Sequence, residues 1–278
     1  MSSTTKVALV TGASSGIGAD TALRLREAGY TVYGAARRVE RMTALRDAGV
    51  HVLSLDVTDE DSLRKAIDQI ISTSGRIDVL VNNAGYGSYG SVEDVPLSEA
   101  RAQIEVNVFG LARLTQLVLP HMRAQRSGTI VNVSSMGGKL VTPLGGWYHA
   151  SKYAVEALSD ALRMETKQFG IDVVVVEPGS IRTEWGAIAA ETLKETSGKG
   201  AYSGLAEGVS KTLAASSQPD ARMTSAPSVI GKTIVKIANA RRPRTRYRVG
   251  FGAAPTMFLR WLLPDRAFDF VVRSAFGV

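Results

Sequence analysis

The chain has 278 residues, 45% hydrophobic and 21% charged, a globular composition with enough apolar residues for a substantial core. It has no cysteine, which excludes disulfides, thiolate catalysis and cysteine-ligated metals. His51, His121 and His149 are its only histidines and are too scattered for a zinc site, so no metal is expected. The net charge is +7, but residues 226–264 carry eight basic side chains and no acidic one; 7 − 8 leaves −1 for the rest, a local patch rather than a basic protein.

The N-terminus, Met1-Ser-Ser-Thr-Thr-Lys6, lacks the apolar centre of a signal peptide, and no apolar run approaches the ~20 residues of a membrane span. The expectation is a cytoplasmic protein. Apolar runs at 7–11, 31–35, 51–55, 79–82, 128–134, 172–177 and 246–249 read as strands, several of them apolar almost throughout, as in a parallel sheet buried on both faces. Helical patterns lie between them near 16–28, 59–72, 98–125, 148–169 and 228–240, with another after 265. This alternation predicts an α/β fold: a single doubly wound Rossmann-type domain over 1–278, with a seven-stranded, mostly parallel sheet and helices on both faces. Residues 184–227, rich in Gly, Ser, Ala and Thr, break the pattern and read as a long irregular insertion, a substrate loop or lid.

At the first strand–helix junction stands Thr11-Gly-Ala-Ser-Ser-Gly-Ile-Gly18. Gly12, Gly16 and Gly18 let the backbone approach a pyrophosphate, which the following helix meets with its free N–H groups and positive end. Ser14, Ser15 and Ile17 belong to the same turn and to the same cofactor-binding set. The segment Gly12-Ala-Ser-Ser-Gly16 also fits the hydrolase elbow G-x-S-x-G, but no histidine lies on a late loop suited to a triad. A fold of this kind that prefers NAD places an acid near the end of the second strand. Here the residue is Ala36, followed by Arg37 and Arg38, whose guanidinium groups suit a 2′-phosphate; the expected cofactor is NADP(H).

Tyr148-His-Ala-Ser-Lys152 sets a phenol and an ammonium at i and i+4 on a helix face. A nearby positive charge lowers a tyrosine pKa from its usual ~10, which would fit the phenol for acid–base work. Alone, the spacing more often describes a solvated surface pair.

With these motifs in order, joined by Asp56-Val57, Asn82-Asn-Ala-Gly85, Asn107, Ser135 and Pro178-Gly179, the chain resembles a short-chain dehydrogenase/reductase over roughly residues 6–183 and again near 246–249. The resemblance implies that Asp56 and Val57 contact the adenine, and that Asn83, Ala84 and Gly85 support the cofactor pocket. It further implies that Pro178, Gly179, Ile181 and Thr183 lie over the nicotinamide, while Tyr148 and Lys152 touch the cofactor as well as the substrate. By the same resemblance Tyr148 is the general acid/base, Ser135 bonds the substrate oxygen, and Lys152 tunes Tyr148. Asn107 would link Lys152 to solvent through a water at a helix kink. Ser134 competes with Ser135 on strand alternation alone; the thirteen-residue spacing to Tyr148 selects Ser135.

The implied activity is hydride transfer from NADPH to a ketone or aldehyde of a hydrophobic small molecule, or the reverse alcohol oxidation. A non-catalytic NADP(H)-binding sensor on the same fold is the alternative, and the complete Asn107, Ser135, Tyr148 and Lys152 set argues against it. Nucleic-acid binding through Lys232, Lys236, Arg241, Arg242, Arg244, Arg246, Arg248 and Arg260 is set aside in favour of a solvated turn entering an edge strand. The extension at 250–278 resembles that of hydroxysteroid- and retinol-dehydrogenase-like members. Contact with a membrane surface is one reading of it, and packing on the core is preferred. A homodimer through the helices at 98–125 and 148–169 is expected.

Overall fold

A computed structural model of the chain describes residues 5–276. The ends of the expected domain, residues 1–4 with the N-terminal reading and residues 277–278, lie outside the described residues. Seven strands make one sheet: β1 (Val7–Thr11), β2 (Thr31–Ala36), β3 (His51–Ser54), β4 (Val79–Asn82), β5 (Gly128–Val133), β6 (Ile171–Pro178) and β7 (Arg246–Val249). Their spatial order is β3-β2-β1-β4-β5-β6-β7 and every pairing is parallel, so the sheet is more uniform than the expected mostly parallel one. Chain order reverses between β1 and β4, the crevice where ligands of such sheets bind.

The helices are α1 (Gly16–Glu27), α2 (Thr43–Asp47), α3 (Glu60–Ser74), α4 (Leu97–Ile104), α5 (Leu111–Gln125), α6 (Gly146–Thr166), α7 (Trp185–Ser197), α8 (Ser203–Ser216), α9 (Ser228–Asn239), α10 (Ala253–Leu262) and α11 (Asp265–Ala275). Strand alternation explains the two layers around the sheet. In β1, Ala8 and Val10 join Ala22 and Leu25 of α1 and Ile230, Ile234 and Ile237 of α9 on one face. Val7 and Leu9 turn to the other face and pack with Leu63, Ile67 and Ile70 of α3 and Leu114, Val118 and Met122 of α5. Burying each Val, Leu, Ile or Met side chain among these contributes roughly 1.5–3 kcal/mol before chain entropy is subtracted.

Three expectations are corrected. The helix anticipated across 98–125 is interrupted by a π-helical turn over Glu105–Gly110 between α4 and α5. Gly110 rests there on the chain at Val57, where an added Cβ would lie 2.7 Å from the Val57 carbonyl oxygen. The insertion at 184–227 is not irregular: most of it folds as α7 and α8, packed on each other. Its small residues permit that contact, since a Cβ at Gly186 would collide with Ser216 Oγ, while Ala189, Ala190 and Ala206 are buried. Residues 250–276 form the helix pair α10 and α11, with α10 outside any element drawn from the sequence. Met257 and Phe268 of this pair bury against Leu140, which is the core-packing reading, although Phe258 and Trp261 stay exposed.

The basic segment is partly neutralised by acids beneath it. From the edge strand β7, Arg246 donates to Glu156 at 3.0 Å and to Asp160 at 2.6 Å. Arg248 Nε lies 3.4 Å from Glu177. Among the described residues, no helix is long and apolar enough to cross a membrane.

Leu114, fully buried between α5 and the sheet, gives a stability test. Leu114→Ala is expected to lower unfolding free energy by about 2–5 kcal/mol with an unchanged urea m-value. A loss below half a kcal/mol would contradict this packing.

Candidate active site

The cofactor end of the site is built on close backbone approach. The turn after β1 has Gly12 at φ 66° and Gly16 at φ 53°, in the left-handed region that favours glycine. A Cβ on Gly12 would sit 2.8 Å from Asn83 Nδ2, and one on Gly18 would strike the Gly12 carbonyl oxygen. Ser15 caps α1 without a side-chain bond to the helix, so its first-turn N–H groups remain available for an anion. Ser14 and Ile17 lie in the same turn, with Ile17 packed on the core and Ser14 Oγ accepting from Arg38 at 3.5 Å. Arg37 Nη1 is 3.9 Å from Asp56 Oδ2 across the end of β2, while Asp56 Oδ1 accepts from Thr58 N and Val57 is buried. These glycines, free N–H groups and flanking guanidinium groups fit a phosphorylated dinucleotide.

Thr11 joins the two strands that bound this crevice. Its hydroxyl accepts from Asn83 N–H and Ala84 N–H, each at 3.0 Å, and lies 3.3 Å from the Val81 carbonyl oxygen. Gly85 follows under Asn107, where a Cβ would lie 2.9 Å from Asn107 Oδ1. On the far side Pro178 ends β6, and Gly179 N–H donates to Val249 O at 2.8 Å. Ile181 bridges Ser225, and Thr183 reaches over the glycine turn to within 3.1 Å of a Cβ placed on Gly16.

The four expected catalytic residues converge from three elements. Tyr148 and Lys152 are buried on α6, and Ser135 caps the short turn after β5 by accepting from Gly137 N–H at 3.0 Å. Asn107 occupies the π-helical turn, with Oδ1 accepting from Tyr86 N–H and Nδ2 donating to Tyr86 O and Ser151 Oγ. Ser135 faces the phenol, whereas the Ser134 hydroxyl is buried without a partner on the side of Gly138 and Glu156.

The electrostatics differ from the expected tuning. Burial pushes the Tyr148 phenol up to about 12, with the Ser135 hydroxyl pulling it back. Lys152 is itself pushed down to about 8 by burial, with Glu156 opposing. The Lys152 ammonium donates to Val133 O at 3.0 Å and lies 5.9 Å from the Tyr148 ring centroid, over the ring rather than at the hydroxyl, so desolvation dominates.

Sequence reasoning missed the walls. Trp185 of α7 lies tilted against Tyr148 with 5.0 Å between ring centroids and Tyr89 lies 5.9 Å from it, with Leu144, Leu193 and Val209 behind. Gly87 has no side chain because the Trp185 indole fills that space. Arg41 and Glu184 pair at 2.5 Å, joining the arginine-rich end of β2 to the start of α7. An aromatic 37 positions from Tyr148, on a segment read as irregular, leaves no periodic signal (185 − 148 = 37).

Fold and site together define a nicotinamide-dependent oxidoreductase built on a dinucleotide-binding sheet. A short chain dehydrogenase family model matches residues 6–194, and the chain belongs to the short-chain dehydrogenase/reductase family. It is 36% identical to a 3-ketodihydrosphingosine reductase of Bacteroides thetaiotaomicron, covering 98% of each chain. It is 34% identical to an NADPH-dependent 3-dehydrocapnine reductase of Ornithobacterium rhinotracheale, over 95% of each. The solved structure of a short-chain dehydrogenase from Streptomyces avermitilis superposes with a TM-score of 0.81 at 36% identity, covering 98% of this chain and 99% of that one.

His149 gives the site a pH dependence of its own. Its Nε2 accepts from Thr142 N–H at 3.0 Å and Nδ1 donates to Gly137 O at 3.0 Å, which holds the ring neutral across the Ser135 turn. Burial lowers its pKa, with the Gly137 carbonyl opposing. Below the ordinary value of 6.5 the unfolded chain takes up a proton that the folded one does not, so stability falls as pH drops through that value. The melting temperature is expected to decline from about pH 7.5 to 5.5, and His149→Asn should flatten that slope while lowering the value at high pH. An unaltered slope in the variant would remove the assignment.

Proposed function

We propose that the protein is an NADPH-dependent reductase of a ketone or aldehyde on a hydrophobic molecule, the reverse alcohol oxidation using the same groups. The observation that carries this is the convergence of Ser135, Tyr148 and Lys152 beside a glycine cradle that no side chain could enter. When bound, the reduced nicotinamide supplies the hydride that reaches the carbonyl carbon. Tyr148 donates its proton to the carbonyl oxygen, and its raised pKa keeps that proton in place at neutral pH. The Ser135 hydroxyl bonds the same oxygen and stabilises negative charge there. Lys152 holds a positive charge over the phenol ring, which stabilises the phenolate left when Tyr148 gives up its proton, and Asn107 anchors the chain at Tyr86 beside it.

Arg37 and Arg38 would hold the 2′-phosphate, with Ser14 between them and the glycine turn. The NADPH dependence in the name of the Ornithobacterium relative supports this choice. The apolar walls, Tyr89, Leu144, Trp185 and Leu193, support a hydrophobic substrate, and α7 and α8 would act as its lid. Two relatives whose names describe reduction of 3-ketodihydrosphingosine and 3-dehydrocapnine support an amphiphilic, chain-like ketone. A homodimer through α4, α5 and α6 is supported by the exposed apolar side chains Leu97 of α4, Phe109 of the π-helical turn, and Leu158 and Met164 of α6.

Two measurements test the reading. Tyr148→Phe should keep NADPH binding by fluorescence titration and lose roughly 10²- to 10⁴-fold in turnover on a long-chain 3-keto substrate; full activity would sink it. Arg37→Ala with Arg38→Ala should weaken NADPH binding by about 10- to 100-fold and leave NADH nearly untouched. Equal losses for the two cofactors would count against an NADP preference.

A further inference from the structure

Lys152 has a second neighbour on its own helix, one turn away from Tyr148. Tyr148, Lys152 and Glu156 follow at i, i+4 and i+8, so they share the face of α6 turned toward β5 and β6. Glu156 is 3% exposed, an unusual burial for a carboxylate. Its Oε2 lies 3.0 Å from both Lys139 Nζ and Arg246 Nε, while its Oε1 is buried with no hydrogen-bond partner. The turn that carries Ser135 crosses this face: a Cβ on Gly138 would lie 2.9 Å from Glu156 Cγ, 3.1 Å from Lys152 O and 2.7 Å from Ser134 Oγ.

The charges around Glu156 come from every side. Lys139 approaches from the turn after β5, Arg246 and Arg248 from β7, Glu177 from β6, and Asp160 and Lys152 from α6. Asp160 is held by Arg163 and Arg246, and Arg248 is drawn to Glu177. Glu177, fully buried, is pushed up by burial and by Glu156 itself, so the two carboxylates oppose each other's charge. A buried carboxylate oxygen without a partner is costly and calls for an explanation beyond packing.

We propose that Glu156 is a positioning residue that keeps Lys152 protonated beneath Tyr148, and that Lys139 sets how much of its negative charge Lys152 feels. The inference deepens the catalytic reading above and rests on it for its functional consequence. Burial removes Lys152's hydration, and the carboxylate one turn along α6 replaces part of that lost stabilisation of the ammonium. Lys139, about one-third exposed, competes for the same carboxylate from outside.

The test follows Lys152 directly, by 13Cε chemical shift in lysine-labelled protein without substrate, assigned with Lys152→Met. The wild-type midpoint is expected near 8. Glu156→Gln should move it down by about one unit, and Glu156→Asp should restore part of the shift. Lys139→Gln should move it up, and this variant removes only a partly exposed side chain should Glu156→Gln fail to fold. Equal midpoints in wild type and Lys139→Gln, or an upward move in Glu156→Gln, would overturn the proposal. The alkaline limb of ketone reduction should move with the midpoint in each variant. Midpoints that move while that limb stays fixed would leave Glu156's role intact and overturn the catalytic reading of Lys152 instead.

Discussion

The hydroxyl of Thr11 holds together the point at which the sheet reverses its order. By accepting from Asn83 and Ala84 N–H and reaching Val81 O, it binds the end of β1 to the end of β4, where no crossover helix ties them. Buried backbone donors left open at that junction would be costly, and the threonine hydroxyl accepts two of them while its branched Cβ suits a strand. With the junction fixed, Gly12 can pass under Asn83, Gly18 can seat against Gly12, and α1 can aim its N-terminus into the crevice. Thr183 then closes over Gly16 from the opposite side.

The proposed catalytic side depends on the same sheet through α6. Lys152 donates to the carbonyl of Val133, the last residue of β5, so the strand end sets the ammonium's height. The next residues turn through Ser135 and are pinned by His149, which bonds Gly137 on one ring nitrogen and Thr142 on the other. A single helix therefore supplies the phenol, the ammonium and the clasp of the loop bearing the serine. Ser135 is placed relative to Tyr148 by neighbours in sequence on both partners.

Much of this was legible in the sequence. Strand runs such as 7–11 and 79–82 match the observed strands because buried parallel strands are apolar on both faces, and the parallel order follows from their alternation with helices. The glycine turn and the Tyr148–Lys152 pair were readable because each is a local pattern whose chemistry depends on close spacing, whereas Ser135 was legible only through the family resemblance and its spacing to Tyr148. What escaped was set by contacts distant in the chain. The kink at Asn107 is expected from the resemblance alone, but its π-helical form answers to Gly110 meeting Val57, and the α7–α8 pair is held by small residues whose composition resembles a loop. The electrostatics escaped for the same reason: i+4 spacing announces an ammonium near a phenol, whereas depth of burial decides which way the phenol moves.

Gly87 carries a further consequence. The indole of Trp185 occupies the volume a side chain there would need, and the same indole lies against the ring of Tyr148. A single added carbon at position 87 would collide with the indole, so the space beside the Tyr148 ring depends on a position that carries no side chain at all.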